Sequence, residues 1–230
     1  MASTTSARPS EGEDNLSRVL YLIRHGRSDL DASDMFDSPR GNQYDPPLSR
    51  EGREQAELLA RRLLVMDLRP AGVICSPLRR ARETVAPYAE RSGLAVTYDD
   101  DLMEAHIGGW EGVRFEEILA GDADLLHRLR NQQAIWGRAP GGERPDDFRV
   151  RVVGAIERLL EKHPDGDIVI VAHGGVVNAY CGHVLGLADE MFFLPENTSL
   201  NSVLIEGSDR TVRFLNDIAH LTEPHLFDDR

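Results

Sequence analysis

Short apolar runs alternate with amphipathic stretches along most of the chain. Runs of strand length occupy residues 19–23, 72–75 and 167–172. Apolar residues recur at helical spacing over 50–66, 78–92 and 175–186, and again from Asp146 or Asp147, either of which can cap a helix, to about 162. Strands that alternate with helices are typical of a parallel sheet. The pattern therefore predicts an α/β domain.

The remaining segments predict smaller elements. Ser49 can cap the helix at 50–66. We expect an edge strand at 94–98, a terminal hairpin from 201–206 and 211–216, and two short helices over 113–136 that break near Gly121 and Asp122. Residues 29–47 are polar and show no apolar periodicity. They predict a long connection, which in a compact domain is usually functional or mobile.

The length and composition indicate a single domain with short tails. A chain of 230 residues with 41% hydrophobic content can bury a substantial core, and nothing in its length requires a second domain. Residues 1–17 are small, polar and acidic, so they are expected to form a disordered tail. The domain is then expected to cover 18–220, and 221–230 to form a C-terminal tail.

Two histidine motifs follow strand-length runs. Arg24, His25 and Gly26 come after the first run, and His173 with two glycines comes after the last. Adjacent side chains of a strand point to opposite faces, so Arg24 and His25 serve one site only if the chain bends there, which Gly26 permits. The glycines at 174 and 175 precede a predicted helix, whose N-terminus suits an anion. Because ligands collect outside the carboxyl ends of such strands, we expect both histidines in one pocket.

The charge of the chain excludes one large class of function. A net charge of −13 argues against a general nucleic-acid binder, which needs a positive field over the phosphate backbone. A small anionic substrate fits if arginines cluster locally. Lys162 is the only lysine among the 26 basic residues. Arginine grips phosphate or carboxylate with a planar fork, although a genome rich in arginine codons explains the same excess.

The sequence also bears on compartment, metals and partners. Cys75 and Cys181 lie far apart in apolar contexts, which predicts buried, reduced thiols. No apolar run approaches the length of a membrane span, and the N-terminus has no leader pattern, so a cytoplasmic protein without membrane contact is expected. The acidic residues at 29–37 lack the glycine and glutamate of a calcium loop, so no metal is expected. An edge strand or the terminal hairpin can support a homodimer.

Six sequence blocks occur in a characteristic order. They are LIRHG at 22–26, PLSREGREQA at 47–56, SPLRRARET at 76–84, LMEAHIGGWEG at 102–112, PGGE at 140–143 and VAHGG at 171–175. In this order they resemble the histidine phosphatase superfamily, the phosphoglycerate-mutase-like proteins. The resemblance covers nearly all of 19–216. It implies a three-layer α/β sandwich with a central, mostly parallel sheet and helices on both faces.

The resemblance also assigns roles to individual residues. It makes His25 the phosphoryl acceptor and Glu104 the proton donor, and it implies that the phosphoryl group is bound by Arg24, Arg80 and His173. Gly174, at the helix N-terminus, joins the substrate-binding residues. Arg80 is preferred because it precedes alanine as the family's arginine does, and Arg79 remains the alternative.

The chemistry independently requires these residue types. A neutral imidazole, with an unperturbed pKa of about 6.5, keeps a lone pair for attack on phosphorus while its other nitrogen donates to a polar group. Two arginines can clamp the equatorial oxygens, and His173 adds a donor if protonated. Glu104 can protonate the leaving alkoxide in a partly apolar setting such as Ile107 and Trp110, and then activate water.

The chain departs from its relatives just beyond the first motif. Many relatives carry Glu or Gln after the Arg-His-Gly triplet and a phosphate-binding Asn five residues beyond the glycine, where this chain has Arg27 and Asp31. Asp31 would repel phosphate, so Asn42 is a candidate replacement. Arg27 and Arg40 are candidates to contact the rest of the substrate, and a surface role for Arg40 fits equally well.

These inferences favour a metal-independent phosphomonoesterase that acts on a small phosphorylated metabolite through phospho-His25, with no cofactor. Mutase relatives carry a longer, proline-rich and basic segment before the second histidine motif, and residues 113–139 contain none. The alternatives are a phosphoglycerate mutase and a non-catalytic module that binds a phosphorylated ligand. The sequence does not name the substrate.

Overall fold

The computed structural model describes residues 17–121, 124–131 and 133–228. The strands are β1 (Arg18–Arg24), β2 (Met35–Ser38), β3 (Gly41–Tyr44), β4 (Gly72–Cys75), β5 (Val96–Tyr98), β6 (Ile168–Ala172), β7 (Leu200–Glu206) and β8 (Asp209–Asp217). The α-helices are α1 (Arg50–Val65), α2 (Arg79–Ser92), α3 (Phe115–Gly121), α4 (Leu125–Arg130), α5 (Pro145–Lys162), α6 (Gly174–Val184) and α7 (Ala219–Thr222).

Six strands form one sheet in the order β5, β4, β6, β1, β7, β8. The first four strands of that order run parallel, and β7 is antiparallel to both β1 and β8. The predicted edge strand and terminal hairpin are therefore confirmed. Arg24 is in register with Ala172, and Cys75 is in register with Val171. The residues that follow β4, β6 and β1 consequently meet at one edge of the sheet.

Apolar clusters cover both faces of the sheet. On one face Leu20 and Leu22 pack with apolar residues of α5 and α6, and on the other Tyr21 and Ile23 pack with those of α1 and α2. A strand that is buried on both faces reads as a continuous apolar run, as β1 and β6 do. The molecule is the three-layer α/β sandwich that the sequence predicts.

The polar segment 29–47 contains regular structure that the sequence does not predict. β2 and β3 form an antiparallel hairpin apart from the main sheet. The Gln43 side-chain amide donates to the Glu104 carbonyl oxygen at 2.9 Å, and the Tyr44 N–H donates to Glu111 Oε2 at 2.8 Å. Most hairpin residues are exposed or half-buried, so no apolar alternation marks the strands. The expectation of a connection without strands is therefore wrong for 35–44.

One of the two predicted helix caps is confirmed. Ser49 precedes α1, and its hydroxyl accepts from the Gly52 N–H at 3.1 Å. The cap of α5 is Arg144 instead of Asp146 or Asp147, which lie in the first turn. Pro145 occupies the first helical position, where a backbone N–H would have no partner within the helix, so proline costs no hydrogen bond there. The helix therefore starts earlier than predicted.

The two ends of the chain differ in what the structure describes. The predicted tail at 1–17 lies outside the described residues except for Ser17. Residues beyond α7 form a 3-10 turn, Pro224–Phe227, where the Arg62 guanidinium lies 5.4 Å from the centroid of the Phe227 ring.

Cys75 and Cys181 are buried and free, as predicted. Within the described part of the chain, no helix combines the length and apolar character that crossing a membrane requires.

Candidate active site

His25 lies just beyond β1, where the chain leaves the sheet. Its N–H donates to the Ala172 carbonyl oxygen at 2.9 Å, and its own carbonyl oxygen accepts from Asn197 Nδ2 at 2.9 Å. Gly26 does not have a left-handed φ, so the prediction that it supplies backbone angles closed to other residues is wrong. A Cβ on Gly26 would lie 2.7 Å from the Gly52 carbonyl oxygen. Close packing on the first turn of α1 is what excludes a side chain there.

The ring of His25 is held neutral and oriented. Its Nδ1 lies 2.7 Å from the Gly26 carbonyl oxygen, so Nδ1–H donates and the lone pair resides on Nε2. Burial, followed by the charges of Arg80 and Arg24, lowers the pKa of His25 well below its usual value. The charged form is disfavoured by both causes. At neutral pH the ring is therefore neutral, with its lone pair free on Nε2.

His173 lies beside His25 and is fully buried. The two ring centroids are 5.2 Å apart in an edge-to-face arrangement, and His173 Nε2 lies 2.8 Å from Ser76 Oγ. Burial and the charge of Arg80 lower the pKa of His173 well below its usual value, so the ring is neutral. If the Ser76 hydroxyl donates to Nε2, the ring proton resides on Nδ1, which has no partner among the described residues. A neutral His173 thus still offers one N–H.

Two arginines flank His25 in a cavity of about 350 Å³, called the cationic cavity below. Arg80 is buried, donates to the Tyr44 carbonyl oxygen at 3.0 Å and lies 3.7 Å from Asp45 Oδ1. Arg24 donates from Nη1 to the Pro195 carbonyl oxygen, and its buried Nε has no partner in the described part of the chain. The cavity is lined by Arg24, His25, Arg27, Ser28, Leu30, Tyr44, Pro46, Arg80 and Asn197.

The alternative arginine is placed at the surface. The Arg79 side chain is 48% exposed and pairs with Glu83 at 2.7 Å. Because α2 turns by 100° per residue, neighbouring arginines point in different directions. The structure therefore places Arg80, and not Arg79, in the cationic cavity.

Three other predicted contacts lie at or outside the rim. The Arg27 side chain lines the cationic cavity but is 61% exposed and pairs with Glu51 at 2.9 Å. Asn42 and Asp31 are exposed and do not line the cavity. Arg40 pairs with Asp101 in the turn after β5. The structure therefore does not bring Asn42 or Arg40 together with His25.

Glu104 lies at the N-terminus of α6. The Gly175 N–H donates to Glu104 Oε2 at 3.0 Å, and the Ala105 N–H donates to Oε1 at 3.1 Å. The unpaired N–H groups of a helix N-terminus donate to a carboxyl oxygen and fix its position. The helix N-terminus that the sequence predicts to suit an anion thus holds a carboxyl side chain of the chain itself. A Cβ on Gly175 would collide with Glu104 Oε1, so this position requires glycine.

A second cavity, of about 270 Å³, opens beside Glu104 and is called the apolar cavity below. It shares Arg24 with the cationic cavity. Its lining residues are Arg24, Glu104, Ala105, Ile107, Trp110, Ile118, Gln133, Ile135, Trp136, Gly174, Gly175, Met191, Leu194 and Pro195. Gly174 lines this cavity and not the cationic cavity, and a Cβ placed on it would lie 3.6 Å from Arg24 Nε.

The assignment of the site rests on chemistry and not on volume. A larger cavity, of about 440 Å³, lies between α1 and α2 and is lined mainly by their glutamates and arginines, without a histidine. In the ranges that the structure describes, no group of three or more His, Cys, Asp or Glu side chains is arranged to hold a metal ion. The nucleophile, donor and acid candidates meet only at the edge formed by β4, β6 and β1.

Some contributors to this geometry are not predicted from the sequence. Ser76 orients His173, and Asn197 holds the His25 carbonyl oxygen. Thr84 accepts from the Gly26 N–H at 2.9 Å. Ser76 directly follows β4, so its position at a strand end is a signal that points to the site. Asn197 precedes β7, and its proximity to His25 can be inferred only when β7 is known to run antiparallel to β1.

Known proteins share sequence and fold with this chain. The model of the histidine phosphatase superfamily, branch 1, matches residues 20–218. A glucosyl-3-phosphoglycerate phosphatase of Mycobacterium tuberculosis is 34% identical over 183 residues, 74% of this chain and 76% of that protein. A metal-independent phosphoserine phosphatase of Arabidopsis thaliana is 26% identical over 204 residues, 88% of this chain and 83% of that protein. The solved structure of a mycobacterial glucosyl-3-phosphoglycerate phosphatase with inorganic phosphate has a TM-score of 0.71 and 29% sequence identity to this chain. The match covers 89% of this chain and 99% of the solved chain. The chain therefore belongs to branch 1 of the histidine phosphatase superfamily.

Proposed function

We propose that the protein is a metal-independent phosphomonoesterase that acts on a small phosphorylated metabolite through a phosphohistidine on His25. One observation carries the proposal: Arg24 Nε and His173 Nδ1 are buried and have no partner among the described residues. Both side chains lie close to the His25 ring. Buried donors are almost always paired. A phosphoryl group in front of His25 would accept hydrogen bonds from both atoms.

The first half of the reaction transfers the phosphoryl group to His25. The lone pair on Nε2 attacks phosphorus, a P–N bond forms, and the P–O bond to the ester oxygen breaks. Charge spreads over the three equatorial oxygens in this step. Arg24 and Arg80 carry permanent positive charge and can stabilise those oxygens, and His173 adds a neutral hydrogen-bond donor.

The second half returns the enzyme to its starting state. Glu104 has given its proton to the departing ester oxygen during the first half, and the resulting carboxylate now takes a proton from the water that attacks phosphohistidine. The P–N bond breaks, inorganic phosphate leaves and His25 is neutral again. The hydrogen bonds from Gly175 and Ala105 hold the Glu104 carboxyl group in one place through both steps.

The relatives support hydrolysis over isomerisation. The two curated relatives described above are named as phosphatases, one of them as metal-independent. Residues 113–139 include the short helices α3 and α4 and lack the proline-rich basic segment of mutases. A mutase must hold a second phosphate group, and among the described residues that line the apolar cavity Arg24 is the sole cation.

Phosphate release from a panel of phosphomonoesters in the presence of excess EDTA tests the proposal. We expect inorganic phosphate to be released at an undiminished rate after chelation, because no step requires a metal. 3-phosphoglycerate, with and without 2,3-bisphosphoglycerate, serves as the discriminating substrate. Formation of 2-phosphoglycerate would establish a mutase instead. Binding of phosphate esters without release of phosphate would indicate a non-catalytic module.

Gly175→Ala is expected to lower kcat by about 100-fold, because the new Cβ displaces the Glu104 carboxyl group from the N-terminus of α6. Stopped-time phosphate release measures the effect. Gly154→Ala is the matched control, since a Cβ at Gly154 within α5 meets only the flexible Arg158 side chain at 3.8 Å. Equal activity of the two variants would show that the position of Glu104 is not required.

A further inference from the structure

We propose that the apolar cavity binds the alcohol part of the substrate, and that this part is an uncharged apolar group of about six or more carbon atoms. The inference rests on the proposed function and adds the substrate class. It is carried by the position of the cavity, the chemistry of its walls and its volume, which are independent of one another.

The position of the cavity follows from the direction of attack. His25 approaches phosphorus from one side, and the ester oxygen leaves on the opposite side, roughly in line. Glu104, which protonates that oxygen, lines the apolar cavity and does not line the cationic cavity. The carbon atoms attached to the ester oxygen must therefore extend into the apolar cavity.

The walls of the cavity exclude a charged leaving group. Most lining side chains are apolar, and they include Trp110 and Trp136, the two tryptophans of the chain. Among the described residues that line it, the side chains able to form polar contacts are Arg24, Glu104, Gln133 and the indole N–H groups of the two tryptophans, and Arg24 is the sole cation. Arg24 already faces the phosphoryl group. A carboxylate on the leaving group would therefore be desolvated beside Glu104 without a counter-charge, which is strongly unfavourable.

The apolar walls disfavour the esters for which the two relatives above are named. Phosphoserine and phosphoglycerate each carry a carboxylate close to the ester oxygen, and a glucosyl group adds several hydroxyls that need partners. The wall formed by Ile107, Ile135, Met191 and Leu194 offers none. We therefore expect both classes of ester to be poor substrates of this protein.

The volume sets the size of the group. A dry apolar cavity of about 150 Å³ is known to take up one benzene molecule. The cavity beside Glu104, at about 270 Å³, holds a hydrocarbon chain of six carbon atoms or a group of about two aromatic rings. Leu194 is 75% exposed and lies at the mouth, so the far end of a longer group reaches solvent there.

A comparison of hexyl phosphate with propyl phosphate tests the proposal, because the two esters have leaving groups of nearly equal basicity and differ in apolar length alone. We expect kcat/KM to be about tenfold or more higher for hexyl phosphate, and 3-phosphoglycerate to fall below both. Leu194→Lys should reduce the ratio several-fold, since it places a charge at the mouth. Leu226→Lys, at an exposed leucine that lines neither cavity, should leave the ratio unchanged.

Hexylphosphonate, which cannot be hydrolysed, gives a readout that is independent of catalysis. Because both tryptophans line the cavity, we expect it to change the tryptophan fluorescence at concentrations at least tenfold below those needed for propylphosphonate. Equal rates for the two alkyl phosphates, or a ratio that Leu194→Lys does not change, would overturn the apolar subsite and leave the phosphatase standing. Absence of phosphate release from every ester would overturn the proposed function, and the fluorescence titration would then decide on the subsite alone.

Discussion

Replacing His25 with alanine is expected to lower kcat for phosphate release by about four orders of magnitude or more. Loss of a catalytic nucleophile typically costs this much or more, because the remaining groups can only stabilise charge. His25 is the sole imidazole that lines the cationic cavity in the described part of the chain. His173 cannot replace it, since its Nε2 is engaged by Ser76 and its Nδ1 then carries the ring proton, so no lone pair is free.

The same variant tests the covalent intermediate. Wild-type protein mixed with a labelled phosphomonoester and quenched in alkaline detergent, in which phosphohistidine persists, should carry label, and His25→Ala should carry none. His225→Ala is the matched control, because the His225 side chain is 68% exposed and lies 3.7 Å from Glu223, away from both cavities. Label on the His25→Ala protein at the wild-type level would place the phosphoryl group on another residue and contradict the mechanism.

Much of this site could be predicted from the sequence because parallel strands end at a common edge. The apolar runs that become β1 and β6 locate His25 and His173, and burial of these strands on both faces explains why the runs are continuous. The position directly before alanine, which is that of the arginine in the family's motif, favours Arg80 over Arg79. The structure places Arg80 in the cationic cavity. In each case the position within a regular element determines where the side chain points.

Other features depend on contacts that no local pattern encodes. Glu104 meets Gly175 across 71 positions of sequence, from a segment that has neither strand nor helix periodicity. The sequence predicts that the N-terminus of α6 suits an anion, but it does not reveal that the Glu104 carboxyl group occupies this position. The β2–β3 hairpin is likewise hidden, because its strands lie outside the main sheet and lack an apolar face. These features arise from the packing of loops onto the edge of the sheet.

Substrate choice belongs to this second group. The motifs predict where a phosphoryl group binds, whereas the walls of the apolar cavity come from separate segments around Ile107, Ile135 and Leu194. None of these segments carries a recognisable code. What they share, an apolar side chain in the cavity wall, becomes informative only after the fold places them around Glu104. The proposal for the organic part of the substrate therefore rests on the structure, and the prediction for the phosphoryl part rests on the sequence.

Glu104→Gln is expected to have an effect that depends on the leaving group. Glutamine has the same shape and can still accept from the Gly175 N–H, but it cannot give a proton to the ester oxygen or take one from water. For hexyl phosphate, whose alkoxide is a strong base, we expect the rate to fall by about 10² to 10⁴. For 4-nitrophenyl phosphate, whose phenolate leaves without a proton, transfer to His25 should remain fast.

The variant should consequently stall after the first step with 4-nitrophenyl phosphate. Water attack on phosphohistidine still needs a general base, so the phosphoenzyme should accumulate and nitrophenolate should appear in a burst close to one equivalent per active site, followed by slow turnover. Rapid-quench measurement of labelled protein and of nitrophenolate checks both. Glu54→Gln, at a glutamate that is 64% exposed, is the matched control and should show wild-type turnover. An equal loss of rate for the two esters, with no burst, would show that Glu104 is not the proton donor. A residue that only supports the structure would slow the two esters equally, whatever their leaving groups.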